Sequence, residues 1–208
     1  MALHHRPALA HLKRVDPVLG AIIERVGACR MEVRRTGTHY DALVRSIVFQ
    51  QLSGKAAGTI HRRLLELYPG KRARAELVLD TSETLLRGAG LSRQKIGYLR
   101  DLSTRVADRS LPLAHLGRLP DDAIIEHLVQ VKGIGRWTAQ MFLMFRLGRT
   151  DVLPELDLGV QNAIQRAWGL ETRPSPREVV AIGAKWRPYA SVASWYLWRS
   201  LENGDGQL

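Results

Sequence analysis

Apolar residues recur along this chain at intervals of three and four, and no stretch alternates long enough to make a strand. Val18, Leu19, Ile22, Ile23 and Val26 follow Asp16-Pro17, where Asp caps a helix and Pro suits its first turn. Gly27 is placed to end that helix. From Tyr40 to Gln51 the inward set is Leu43, Val44, Ile47 and Val48. Ser53 is the cap of a helix over Lys55 to Tyr68, which Pro69-Gly70 stops. Thr81 and Ser82 punctuate one or two short helices between Arg74 and Leu86, and Gly88-Ala89-Gly90 breaks the chain. Ser92 then caps Arg93 to Arg109, with Ile96, Leu99, Leu102 and Val106 on one face, and Leu111 to Pro120 reads as loop. Asp121-Asp122 opens the run Ala123 to Val131 with acidic groups where the helix dipole favours them, and a second run spans Trp137 to Leu147. Asp157 stands directly before Leu158 to Trp168, ended by Gly169. Ser175-Pro176-Arg177-Glu178 is a capping box that begins a helix through Lys185, and Pro188 starts the last one, with Tyr189, Val192, Trp195, Tyr196 and Leu197. The expected fold class is all-α, with about ten helices and short loops.

Two of these runs, Ala123–Val131 and Trp137–Leu147, are joined by Gly133-Ile134-Gly135. So short a glycine turn makes a helical hairpin. The second helix then starts at the turn, with its unpaired N–H groups and positive dipole end pointing outward. That is an anion site suited to phosphate, lined by Lys132, Gly133, Ile134, Gly135, Arg136 and Thr138. A plain helix–turn–helix connection is the alternative for Gly-x-Gly alone.

Charge sharpens the picture. The chain of 208 residues carries a formal net charge of +11, which points to a polyanionic partner. Its single cysteine, Cys29, excludes an internal disulfide and a cysteine-ligated cluster, and its apolar neighbours predict a core position. No signal peptide and no run of 18 apolar residues is present, so a cytoplasmic protein without a membrane is expected, nucleoid-associated if bacterial. The phosphate-loop, His-Glu-x-x-His and Gly-x-Ser-x-Gly patterns are absent.

Asp157 is the leading candidate for chemistry. An Asp before a helix is first of all a cap. The same helix mouth favours a carboxylate's charge, and such a group stabilises positive charge developing on a sugar. Trp137, Trp186 and Tyr189 are the aromatic signal; helical spacing makes such residues core, while a face left open binds electron-poor rings. Gln50-Gln51-Leu52-Ser53-Gly54 is either an ordinary helix corner or a finger that enters a DNA duplex.

Three signatures in order resemble the helix-hairpin-helix DNA glycosylase superfamily, and within it the 3-methyladenine DNA glycosylase II branch of AlkA type. They are Ser46-Ile47-Val48-Phe49-Gln50-Gln51-Leu52-Ser53-Gly54-Lys55-Ala56-Ala57, then Val131-Lys132-Gly133-Ile134-Gly135-Arg136-Trp137-Thr138-Ala139, then Asp151-Val152-Leu153-Pro154 through Asp157-Leu158-Gly159-Val160. The resemblance implies two helical lobes around a cleft: residues 38–149 with the hairpin, and residues 1–37 plus 150–208 with the catalytic Asp157. It implies no N-terminal β domain, since too few residues precede Asp16. It makes Leu52 the wedge, flanked by Gln51 and Ser53, that fills the gap left by a flipped base. Trp137 and Tyr189 become base-pocket aromatics, with Trp186 beside them and Met141 where some relatives carry an aromatic. Main-chain carbonyls of Val129, Val131 and Ile134 would hold a structural Na⁺ or K⁺, and catalysis would need no cofactor. Bifunctional branches place a lysine nucleophile at the position of Trp137, so a monofunctional enzyme without lyase activity is expected. Its partner would be double-stranded DNA with a damaged base, bound by a monomer. The activity implied is hydrolysis of the N-glycosidic bond of alkylated bases in base excision repair. The alternatives are a non-catalytic helix-hairpin-helix DNA-binding module, which needs neither Asp157 nor aromatics, and a glycosylase for mismatched or oxidised bases, of which Trp137 in place of lysine disfavours the oxidised-base branch.

Overall fold

Most cap residues marked by the sequence open helices in the computed structural model, which describes residues 5–202. Asp16 accepts the N–H of Leu19, Ser53 that of Ala56, Ser82 that of Leu85, Ser92 that of Lys95 and Asp157 that of Val160. Thr38 with Asp41, and Ser175 with Glu178, form reciprocal capping boxes. Each such cap satisfies N–H groups that the helix leaves unpaired and is worth about 1 kcal/mol. The described residues contain helices, turns and loops and no strand, so the fold is all-α.

The chain forms two compact units, Met1–Arg34 with Leu143–Leu208, and Arg35–Phe142. The first begins with α1 (Arg6–Val15) and α2 (Pro17–Val26). Helix α1 was not anticipated; it buries only Ala8 and Leu12, one turn apart, and carries Lys13 and Arg14 in its last turn, so its apolar signal is thin.

The second unit holds α3 (His39–Phe49), α4 (Gly54–Glu66), α5 (Ala75–Asp80), α6 (Glu83–Gly88), α7 (Arg93–Ala107), α8 (Leu113–Leu116), α9 (Asp121–Leu128) and α10 (Arg136–Phe142). Leu43, Val44, Ile47 and Val48 of α3 are fully buried, as their spacing predicts. Helix α8 lies in the stretch expected to be loop; it is four residues long and has no side-chain cap, so nothing local announces it.

The first unit resumes with a π-helical turn over Leu143–Leu147, then α11 (Leu158–Trp168), α12 (Pro176–Gly183) and α13 (Ala190–Glu202). Helix α13 packs on α2 and α11 with Val192, Ala193, Tyr196 and Leu197 buried. The last helix starts at Ala190 and not at Pro188, because the N–H of Tyr189 closes back on the Trp186 carbonyl at 2.8 Å.

Residues 143–149 were expected with the hairpin; they group with the other unit, and bonds within that unit hold them. The Arg34 N–H donates to the Phe145 carbonyl at 2.8 Å, the Arg146 guanidinium to the Arg34 carbonyl at 2.7 Å, and the Ser191 hydroxyl to the Arg149 carbonyl at 2.8 Å. Cys29, expected in the core, is only half-buried, in the non-helical segment after α2. No helix among the described residues is long and apolar enough to cross a membrane.

Candidate active site

The hairpin turn is set by what lies against it. Gly133 adopts φ = +81°, and a Cβ there would stand 2.2 Å from Cδ2 of Tyr98. The aromatic ring of α7 thus lies on bare backbone, which only glycine permits. Gly135 has nothing within 4 Å of where its Cβ would be. The two glycines of the motif therefore do different work: one is required by packing and backbone, the other leaves the outer side of the turn open.

The expected phosphate-binding set divides. Lys132, Gly135 and Arg136 are exposed. The main-chain N–H of Lys132, however, donates to Oδ2 of Asp101 at 2.9 Å, and that of Ile134 to the Val131 carbonyl at 3.0 Å. Both donors are consumed inside the unit, so Lys132 has only its side chain to offer an anion, and Ile134 is itself buried. Thr138 is 7% exposed and faces inward as well. For the expected cation, the donor chemistry fits. Among the described residues no main-chain N–H reaches the carbonyl of Val129 or Ile134, and the Val131 carbonyl accepts only that of Ile134. Neutral carbonyl oxygens of this kind suit a hard monovalent ion.

The Gln50–Ser53 corner is braced on the hairpin. Nε2 of Gln50 donates to the Gly133 carbonyl at 2.7 Å. Nζ of Lys95, on α7, donates to the carbonyls of Val48 and Gln50 at 2.6 and 2.7 Å, closing the end of α3. Burial pulls the Lys95 ammonium below the ordinary lysine range. Gln51 then adopts φ = +55°, the left-handed region that costs a non-glycine residue about 1–2 kcal/mol. This turn leaves Leu52 41% exposed, with Gln51 and Ser53 exposed beside it. A large apolar side chain held out at a rigid corner is the shape a wedge requires. Lys95 and Tyr98 were not anticipated; on α7 they read as a solvated charge and a packed ring, and only the tertiary contacts reveal them.

Trp137, at the start of α10, is 44% exposed, and Met141, one turn on, is half-buried. In the other unit Tyr189 is half-buried, with the His11 ring edge-on at 5.5 Å. Trp186 is not a pocket residue. It is fully buried, and its Nε1–H donates to Oδ2 of Asp16 at 2.7 Å, the carboxylate that also pairs with Lys185 at 3.1 Å. That network fixes α2 to the segment before α13 and leaves no face for a ligand.

Asp157 caps α11, its Oδ1 accepting the Val160 N–H at 2.8 Å. It is half-buried between two exposed leucines, Leu156 and Leu158. The same Oδ1 accepts the indole N–H of Trp198 at 2.8 Å, from α13. No spacing rule connects Trp198 to a residue 41 positions earlier. Among the described residues, no group of three or more His, Cys, Asp or Glu could hold a metal.

A family model described as the HhH-GPD superfamily base excision DNA repair protein matches residues 44–188. The chain is 34% identical over 169 residues to the Bacillus subtilis protein YfjP, a match over 78% of this chain and 59% of that relative's length. It is 31% identical over 201 residues to DNA-3-methyladenine glycosylase 1 of Schizosaccharomyces pombe, across 94% of this chain and 87% of that protein. The solved structure of the 3-methyladenine DNA glycosylase of Schizosaccharomyces pombe in complex with abasic DNA superposes with a TM-score of 0.83 at 29% identity, covering 97% of this chain and all of that one.

Proposed function

Since the chain belongs to the HhH-GPD superfamily of base excision DNA repair proteins, we propose that it is a monofunctional DNA N-glycosylase that removes alkylated bases, 3-methyladenine and 7-methylguanine among them, from double-stranded DNA. The observation that carries this reading is Asp157, a half-buried carboxylate held at the mouth of α11.

A base stacked in a duplex is out of reach and must be extruded. The hairpin grips backbone phosphates through Gly135 and the side chains of Lys132 and Arg136, which gives affinity without sequence preference. A Na⁺ or K⁺ on the carbonyls of Val129, Val131 and Ile134 would add positive charge to that grip. Leu52, flanked by Gln51 and Ser53, fills the gap and offsets a few kcal/mol of lost stacking. Trp137, with Met141 one turn on, stacks on the extruded base, and Tyr189 is the other aromatic that the family resemblance assigns to that task. Alkylation at N3 or N7 makes the base cationic, and cation–π attraction adds about 1–2 kcal/mol where water is excluded. The same alkylation lets the C1′–N bond break with its electron pair passing to the base, which leaves neutral. The sugar becomes oxocarbenium-like, and the Asp157 carboxylate stabilises that charge. Water adds to C1′ and gives up a proton, leaving free base and an abasic site. The indole of Trp137 offers no amine for a Schiff base, so the strand is not cut. No nucleotide cofactor takes part, and a monomer acts alone on DNA in the cytoplasm.

The test is Asp157→Asn on duplexes carrying 3-methyladenine or 7-methylguanine, with released base and DNA affinity measured separately. Release should fall by about 100-fold or more while affinity holds. Release near the parent rate would remove Asp157 from the mechanism and leave a DNA-binding module.

A further inference from the structure

We propose that Trp198 is a positioning residue for the reaction, its indole N–H fixing the orientation of the Asp157 carboxylate from a distant helix. The inference rests on the catalytic reading of Asp157 given above.

An N-cap aspartate is generic. Its bond to a main-chain N–H two or three residues on holds one oxygen but leaves the carboxylate free to swing about that contact. In this chain a second donor converges on the same oxygen. Val160 N–H and Trp198 Nε1–H each lie 2.8 Å from Oδ1 of Asp157, one from α11 itself and one from α13. Two donors from different elements define a direction and a plane, where one defines only a pivot.

The surroundings are shaped for the second donor. Gly159 lies beside the carboxylate and the indole, and a Cβ there would stand 3.0 Å from Oδ1 of Asp157 and 3.0 Å from Cδ1 of Trp198, so one of them would have to give by a few tenths of an ångström. Phe145, on the π-helical turn, backs the indole with ring centres 6.0 Å apart. Trp198 is half-buried, so its ring is held by packing while its N–H is spent on Asp157.

Charge stabilisation at a transition state is steep in geometry, and about 1 Å of misplacement costs up to about 100-fold. The experiment compares Trp198→Phe, which keeps an aromatic ring against Phe145 and removes the donor, with Trp198→His, whose Nε2–H sits at the same place in its five-membered ring. Single-turnover base release from a 7-methylguanine duplex is measured over a range of enzyme concentrations, beside thermal unfolding and the Asp157→Asn variant. Trp198→Phe should lower the maximal rate about 10- to 100-fold with half-saturation unchanged within about twofold, and Trp198→His should recover part of the rate. A maximal rate within twofold of the parent in Trp198→Phe, with Asp157→Asn inactive, overturns this inference and leaves the glycosylase reading standing. Active Asp157→Asn overturns the reading beneath it. If Trp198→Phe does not fold, the isosteric benzothiophene analogue of tryptophan at 198, with sulfur in place of N–H, carries the same comparison.

Discussion

Replacing Gly133 by Ala tests the account of the hairpin turn most directly. The new Cβ would fall 2.2, 2.4 and 2.5 Å from Cδ2, Cε2 and Cγ of Tyr98, so either the ring or the turn must move by more than 1 Å to reach a contact of about 3.5 Å. Overpacking of that kind costs about 1–3 kcal/mol. The backbone adds a separate cost, because φ = +81° at Gly133 is strained for any residue with a Cβ, by about 1–2 kcal/mol. Together they remove about 2–5 kcal/mol from a protein whose whole stability is of the order of 5–15. Gly135→Ala is the internal control: its Cβ meets nothing within 4 Å and its φ is not positive, so it should change stability by less than about 1 kcal/mol. Urea unfolding of both variants, repeated in a Tyr98→Ala background, separates the two costs. There the ring is gone, and Gly133→Ala should cost only the backbone share, about 1–2 kcal/mol. Equal stability of the Gly133 and Gly135 variants, or the same Gly133→Ala cost with and without the Tyr98 ring, would refute the reasoning.

Two further predictions concern Lys95 and Tyr196, to which the sequence assigned no part in the site. Lys95→Met keeps the length of the chain but strips the donor from the Val48 and Gln50 carbonyls, so amide exchange across residues 49–53 should rise about 10-fold or more; unaltered protection there would show that the corner is stiff without the lysine. Burial pushes the Tyr196 hydroxyl up to about 12. The unfolded chain releases that proton near pH 10 while the folded one keeps it, so stability is full below pH 10 and declines as pH rises towards 12, by about 1.4 kcal/mol per unit. Tyr196→Phe should make that decline shallower, the remainder coming from Tyr40, whose hydroxyl is also raised by burial; chemical melts between pH 8 and 11.5 decide it, and an unchanged slope counts against the assignment.

What the sequence disclosed was local chemistry. Asp16, Ser53, Ser92 and Ser175 act within three residues of themselves, and the α3 stripe repeats with the helix, so both are visible in a string of letters. Gly133-Ile134-Gly135 disclosed a turn but not which glycine is indispensable, since that depends on Tyr98, 35 positions earlier. The sequence reading placed Trp186 at the base pocket and gave Trp198 no role. One spends its N–H on Asp16 in the core and the other on Asp157 at a helix mouth, and that difference lies in tertiary contacts alone. The Lys132 N–H was counted as an outward donor because helix-end rules leave it unpaired, and Asp101 on another helix pairs it.

The two elements proposed to act on DNA share one construction. Each begins as a common local device: a capped helix start at Asp157, a glycine turn with an adjoining corner at Gln50–Ser53. Each is then fixed by a donor from a helix that otherwise serves packing, Trp198 on α13 in one unit and Lys95 on α7 in the other. In stability such a bond contributes only about 0.5–3 kcal/mol, comparable with any buried polar contact. In function the tolerance is narrower, because a carboxylate or a wedge must be held to about 0.5 Å to work. A substitution at Trp198 or Lys95 should therefore weigh more on rate or on local exchange than on global unfolding, which is the opposite of what a core position does. That inversion distinguishes a positioning side chain from a merely buried one.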